Sequence, residues 1–279
     1  MEIEEFSNRW LIHPLSARLT PLLARAGVHP NAVSLAGMAC GVLAGLAYHG
    51  YEETWRVLAG FALMLAWHVL DGADGQLARL TGKQSPTGKV LDGICDYVTF
   101  TAVYAGLASA LQGRLGAWAW VLAVAAGLCH AVQAAAYEVQ RQEYNFWGLG
   151  RASASFASAG APREGLPGGL HRAYERLQFA ASGASPEFHA RLSAALASGP
   201  DGGAAMRERY RQMFAPSVRR WAVLSSNHRT LGIFLFSLAG IPQGYFWFDI
   251  IGFTAILLLL RRARRASYAR FFAMAAGRA

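Results

Sequence analysis

Apolar segments of bilayer length, separated by short polar breaks, restrict this chain's fold more than any other feature. They cover residues about 32–50, 55–80, 88–111 and 116–140, and two more follow at 228–243 and 245–261. A membrane-crossing helix needs roughly 20 predominantly apolar residues. Each run approaches that length; the fifth is short, and reaches it only by beginning upstream near Trp221. In lipid the backbone must satisfy its own hydrogen bonds, so runs of this kind form helices. The expected fold is all-α, an integral membrane bundle of about six transmembrane helices. Composition agrees: 15% of the residues are charged, against about 25% in a soluble domain, and the mean hydropathy is +0.23.

The flanking segments complete a single membrane domain over residues 1–279. At 4–26, Trp10, Leu11, Leu15, Leu19, Leu22 and Leu23 recur at helical spacing beside Arg9, Arg18 and Arg25. This pattern predicts an amphipathic interfacial helix lying on the membrane surface. Residues 27–144 hold the first four helices, 145–225 a cytoplasmic insertion, and 226–279 the last two helices with a basic tail. Within the insertion, GLHRAYERLQFA and AAMRERYRQMFA read as short amphipathic helices and SASFASAGAPREGLPGG as a loop. The insertion is either a variable segment without chemistry or a lid or acceptor surface. Pro242 and Gly244 read as the turn between the last two helices. The acidic start MEIEEF lacks the charge and apolar run of a signal peptide. The 3 cysteines show no ligand spacing, so neither a disulfide framework nor a zinc site is expected.

The net charge of +9 admits nucleic acid or anionic lipid as a partner. The hydropathy assigns it to membrane lipids, and no nucleic acid is expected. With the N-terminus inside, Lys83, Lys89, Arg141, Arg261, Arg262, Arg264 and Arg265 are cytoplasmic, and Arg114 is the clear outside cation, as the positive-inside rule requires. The location is then multi-pass in a membrane, the cell inner membrane in a bacterium.

Four aspartates, Asp71, Asp74, Asp92 and Asp96, fall at the cytoplasmic ends of the second and third runs. Asp71 and Asp74 are three apart and Asp92 and Asp96 four apart, so each pair shares a helix face. Two antiparallel helices joined over residues 80–87 would close these faces on one small volume. Carboxylates at a membrane edge are costly and repel one another. Divalent cations would offset them, and hard oxygen ligands suit Mg²⁺ or Mn²⁺. Two such ions can clamp phosphate oxygens during displacement at phosphorus. Arg79 can bind phosphate through parallel hydrogen bonds. Gly75 and Gly88 would let a ligand approach the backbone closely, Ala78 is small, and the loop with Ser85 adds hydroxyl donors.

The pattern Asp71-x2-Asp74-Gly75-x2-Ala78-Arg79-x8-Gly88-x3-Asp92-x3-Asp96 resembles the signature of the CDP-alcohol phosphotransferase family, with every fixed position present. His29-Pro30-Asn31 is similar to that family's Thr-Pro-Asn before the first span, with His in place of Thr. The resemblance covers residues about 5–140 well, the last two spans loosely, and 145–225 not at all. It implies transfer of a substituted phosphate from a CDP-linked donor to an alcohol acceptor with release of CMP, dependent on Mg²⁺ or Mn²⁺. It implies Asp71, Asp74 and Asp92 as metal ligands, and Asp96 as both ligand and base toward the attacking hydroxyl. It also implies that Gly75, Ala78, Arg79, Ser85 and Gly88 hold the nucleotide and diphosphate, with Pro30 and Asn31 as donor contacts. Family members are often homodimers, and the resemblance implies the same here.

The acceptor is less legible. Arg141 is the only cation at the end of the fourth run, beside Glu138, Glu143, Tyr137, Tyr144 and Trp147. Acid and aromatic groups suit a cationic headgroup such as choline or ethanolamine, or form an interfacial aromatic belt. Arg207, Arg209 and Arg211 could instead supply a phosphate site. The donor is of CDP-diacylglycerol or CDP-choline/ethanolamine type. Two other functions compete: a Mg²⁺-dependent membrane prenyltransferase, against which the glycine and arginine spacing argues, and a divalent-cation transporter, which would place carboxylates mid-span.

Overall fold

The computed structural model describes residues 2–151, 180–197 and 200–275, and among them it contains helices and no strand. A π-helical turn at Asn8–Ile12 leads into α1 (His13–Arg25). Then come α2 (Pro30–His49), α3 (Thr54–Leu80), α4 (Pro86–Leu115) and α5 (Trp118–Glu143), followed by a π turn at Tyr144–Gly148. After the undescribed segment come α6 (Pro186–Ala197), α7 (Pro200–Trp221), α8 (Ser226–Leu238) and α9 (Pro242–Trp247). A third π turn, Phe248–Phe253, precedes α10 (Thr254–Ala275). Among the described residues, five stretches are long and apolar enough to cross a membrane: Pro30–His49, Thr54–Leu80, Pro86–Leu115, Trp118–Gly148 and Pro242–Ala273.

The fifth apolar run of the sequence forms α8, a helix of 13 residues. It does not extend upstream to Trp221. A 3₁₀ turn at Ala222–Leu224 and an extended Ser225 separate it from α7. The turn after it also differs from the sequence reading. Gly240, at φ +72, carries the reversal, in a conformation other residues rarely adopt. Pro242 starts α9, where its fixed φ suits a first helical position, so Pro242 and Gly244 lie inside the helix. The predicted loop SASFASAGAPREGLPGG lies outside the described residues, as does GLHRAYERLQFA except for Ala180. AAMRERYRQMFA falls within α7, as expected, and α6 is a helix the sequence reading missed.

The chain forms two compact units. One comprises Glu5–Leu128 and Ser226–Ile250. Its centre is α2, whose glycines let neighbouring backbones come close. A Cβ added to Gly45 would meet the carbonyl carbon of Ala102, and one added to Gly106 would meet the backbone of Gly45. Small residues spaced this way allow the close helix approach typical of membrane interiors. Around them Tyr48, Met64, Trp67, Val103, Leu107, Ile233 and Phe246 form the core. Leu35, Val42, Leu43 and Leu46 on α2, and Val121, Val124 and Leu128 on α5, stay exposed, as a lipid-facing surface would. Phe6, Trp10, Leu15 and Leu22 leave an apolar face exposed on the first two helical segments.

The other unit comprises Met1–Glu4, Cys129–Ser225 and Ile251–Ala279. Tyr144, Trp147, Phe188, Tyr210, Phe214, Tyr268 and Phe271 form its aromatic core. The described part of the insertion, α6 and α7, is thus packed through large aromatic side chains. At the centre Glu143, fully buried, accepts hydrogen bonds from Arg264 (2.8 Å), Tyr210 (2.9 Å) and Tyr268 (2.7 Å). The Arg264 guanidinium lies 4.1 Å from the Phe214 ring centre and 4.8 Å from that of Tyr268. Burial pushes the Tyr210 hydroxyl well above its usual range, with the Glu143 charge adding to the effect.

Candidate active site

The helices α3 and α4 meet at the short connection 81–85. Ser85 caps α4: its Oγ accepts from the Gly88 N–H at 3.0 Å, with Pro86 in the first turn. A Ser or Thr in this place satisfies one of the amides a helix start leaves unpaired. On α2, His29 takes the equivalent role, its Nδ1 accepting from the Asn31 N–H at 3.2 Å, and Pro30 follows, buried. Two capped starts therefore fix where α2 and α4 begin. They also bring Asn31 to Gly88. A Cβ on Gly88 would stand 3.0 Å from Ser85 Oγ and 3.4 Å from Asn31 Oδ1. Asn31, Ser85 and Gly88, 57 positions apart at the extremes, thus share one corner.

The aspartate faces close as their spacing predicts. One oxygen from each of Asp71, Asp74 and Asp92 lies within 4.8 Å of the others. The Asp71 carboxyl is in hydrogen-bonding reach of Asp92 and also of Asp96, which joins the group from the next turn of α4. Asp96 Oδ1 is buried without a hydrogen-bond partner among the described residues. Carboxylates this close repel strongly where water is scarce. Protons or cations must offset the repulsion, and the donor set, all hard oxygen, fits Mg²⁺ or Mn²⁺ rather than a softer metal. The orphaned Asp96 oxygen is what an absent ligand or cation would leave behind.

Arg79 is exposed, and its guanidinium folds back one turn over Gly75. A Cβ there would lie 3.4 Å from Nη1. Arg79 thus lies against Gly75, in ordinary contact distance of where a side chain there would begin. Ala78 is half-buried on α3, one turn past Asp74.

Two supports were missed from sequence. Ser34 on α2 donates a hydrogen bond to Asp74 Oδ2. Its only sequence signal was its place four residues after Pro30, on one face of the helix. The second is the docking of α1 onto the turn of α3 that holds Asp71 and Asp74. Ser16 Oγ donates to the Val69 carbonyl at 2.7 Å and sits over Gly72, and Thr20 Oγ1 reaches Gln76 Oε1 at 3.4 Å.

Residues outside the aspartate cluster have structural roles. Glu143 is buried and paired with Arg264, and Tyr137, Tyr144 and Trp147 are buried too. They form neither a cage for a cationic headgroup nor an aromatic belt: the aromatic core takes up Tyr144 and Trp147, and Tyr137 packs with Trp221, Leu224, Phe253 and Leu257. Glu138 is exposed and pairs with Arg141 at 2.8 Å. Arg207 donates to the Phe146 and Trp147 carbonyls, and Arg211 pairs with Glu2, so both are engaged within their own unit. His68 is a satisfied core histidine, its Nε2 2.9 Å from Thr230 Oγ1. Arg229 is buried and ion-paired with Asp249, to which Tyr104 also donates at 3.0 Å. It anchors α8.

Comparison with known proteins agrees with this geometry. A family model described as CDP-alcohol phosphatidyltransferase matches residues 27–161. A "Bifunctional IPC transferase and DIPP synthase" of Rubrobacter xylanophilus is 34% identical over 136 residues, which is 48% of this chain and 28% of that protein. A phosphatidylinositol phosphate synthase of Mycolicibacterium smegmatis is 36% identical over 94 residues, 33% of this chain and 40% of its own length. An archaetidylinositol phosphate synthase of Pyrococcus horikoshii is 35% identical over 91 residues, 33% of this chain and 46% of its own. The chain thus spans less than half the length of each of these relatives.

Proposed function

Through residues 27–161 this chain belongs to the CDP-alcohol phosphatidyltransferase family, and from that premise we propose that it transfers a substituted phosphate from a CDP-linked donor to an alcohol in phospholipid synthesis, releasing CMP. The observation that carries this reading is the cluster of Asp71, Asp74 and Asp92 oxygens, with Asp96 and Arg79 beside it.

Asp71, Asp74, Asp92 and Asp96 would hold Mg²⁺ or Mn²⁺. Such ions, when bound, neutralise charge on a diphosphate and polarise it toward displacement. The protein's own residues do the rest. Arg79 binds the diphosphate as a forked donor. Asn31, Ser85 and Gly88 line the corner where the nucleotide would lie, with Pro30 and Ala78 as its neighbours. Asp96 accepts the proton of the attacking hydroxyl as that oxygen bonds to phosphorus. The bond from phosphorus to the CMP oxygen breaks, and CMP leaves to the cytoplasmic side. The lipid-facing surface of the helices suits a donor or acceptor with an acyl tail.

The acceptor proposed first is an inositol phosphate. Two of the relatives are named phosphatidylinositol phosphate synthase and archaetidylinositol phosphate synthase; of the two acids that favoured a cationic headgroup, Glu143 is buried and Glu138 is paired with Arg141. The test is a screen of purified protein with CDP-diacylglycerol and inositol phosphate, glycerol phosphate, choline or ethanolamine, reading CMP and lipid product. Wild-type CMP release that falls by about 10²-fold or more in Asp96→Asn, as loss of a general base requires, supports the reading. No CMP from CDP-diacylglycerol with any of these acceptors, or full activity in that variant, refutes it.

A further inference from the structure

We infer that Ser34 is a positioning residue for the metal-binding cluster, acting through Asp74; the inference rests on the proposed function above. Of the three aspartates whose oxygens converge, Asp74 is the buried one, at 6% exposure, and Ser34 is 7% exposed. A buried carboxylate without donors is costly, and the Ser34 hydroxyl donates to Asp74 Oδ2. The alternative acceptor for that hydroxyl, the Pro30 carbonyl, is more distant at 3.4 Å. A hydroxyl has a single proton to give, and Asp74 takes it.

The consequence is orientational. A carboxylate turns easily about its last bond, since such terminal torsions are broad. A donor fixed on a neighbouring helix removes that freedom and sets the direction of the remaining lone pairs. Ser34 can be such a fixed point because it stands one turn past Pro30, on the helix whose glycines clamp it against α4. It carries no metal or substrate itself. Groups that orient a metal's ligands typically change metal affinity by about 10–100-fold when removed.

The test compares Ser34→Thr with Ser34→Val, which match in volume and differ in the hydroxyl, with Ser34→Ala as a third variant. Mn²⁺ binding is read by electron paramagnetic resonance on purified protein without substrate, and thermal stability is read alongside. The valine and alanine variants are expected to bind Mn²⁺ about 10–100-fold more weakly, and the threonine variant within about threefold of wild type, the scatter expected of single-interaction effects. Where turnover is measured, half-maximal Mn²⁺ rises by the same factor while turnover at saturating Mn²⁺ is largely kept. Equal Mn²⁺ affinity in the threonine and valine variants, or wild-type affinity in all three, overturns the inference. So does a loss of thermal stability with no change in Mn²⁺ affinity, which marks packing alone. Wild-type protein that binds Mn²⁺ in this Ser34-dependent way but releases no CMP would refute the proposed reaction and leave the positioning role standing.

Discussion

Replacing Gly45 by alanine tests whether the α2–α4 contact sets the geometry of the aspartate site. The new Cβ would stand 2.6 Å from the Ala102 carbonyl carbon and 3.0 Å from the Val103 nitrogen, where ordinary contact begins at 3.4 Å. These obstacles are backbone, so no side-chain rotation relieves them; the Ala102 carbonyl oxygen stands nearer still, and α2 must withdraw from α4 by more than the 0.8 Å between 2.6 and 3.4 Å. Two effects on stability oppose each other. Alanine gains about 1 kcal/mol over glycine in a helix interior, and overpacking costs about 1–3 kcal/mol. The net loss is about 0–2 kcal/mol, small enough to leave the protein folded. Activity is more sensitive, because α2 carries Ser34 and Asn31 while α4 carries Asp92 and Asp96. A misplacement near 1 Å costs about 10²-fold in rate. The assay is CMP release under saturating donor and metal, with melting in detergent measured in parallel. Gly113→Ala is the control: it lies on the same α4, and a Cβ there meets nothing within 4 Å. Gly45→Ala with wild-type turnover, or an equal loss in Gly113→Ala, would refute the reasoning.

Three further outcomes are expected. Glu143→Ala leaves the Arg264 charge buried without its partner and destabilises the protein by about 3–5 kcal/mol, read as a lowered melting temperature; an unchanged melt would remove Glu143 from the centre of its unit. The Arg211 hydrogen bond holds the Glu2 carboxyl below its ordinary value of 4.5, with Tyr144 adding to the effect. Because the folded value is depressed, this contact contributes fully above pH 4.5 and is lost as the pH falls below it. Amide exchange at the N-terminus should therefore rise only under acid, and a rise near neutrality would contradict this. Chelation of divalent cations should abolish CMP release and excess Mn²⁺ should restore it, whereas activity that survives chelation would argue against the carboxylate cluster as a metal site.

What the sequence revealed follows from how locally each feature is encoded. Helical periodicity and aspartate spacing are short-range, so the convergence of Asp71, Asp74 and Asp92 could be read from 26 residues. The capped start at Ser85 was equally local. Contacts joining distant positions were not legible. Ser34 and Asp74 are 40 residues apart, and Glu143 and Arg264 are 121 apart. Nothing in the chain marks either pair, since a serine in an apolar run and a glutamate beside aromatics have several ordinary uses. Glu143, Tyr144 and Trp147 were read as a surface because composition there is amphipathic. Only the partners on α7 and α10 show that these residues face inward. The turn at Gly240 was displaced for a similar reason: proline signals a break, but it equally starts the helix beyond it.

The buried pair of Arg229 and Asp249 also bears on how the protein is made. Arg229 stands in the first turn of α8 and is fully buried, so its charge needs a partner. Its counter-charge lies 20 residues later, on the π turn Phe248–Phe253, and is synthesised only after the chain has reversed at Gly240. Neither charge is neutralised until both are present. The pair can therefore form only once the chain has turned at Gly240, so α8 gains this buried contact together with the π turn rather than alone.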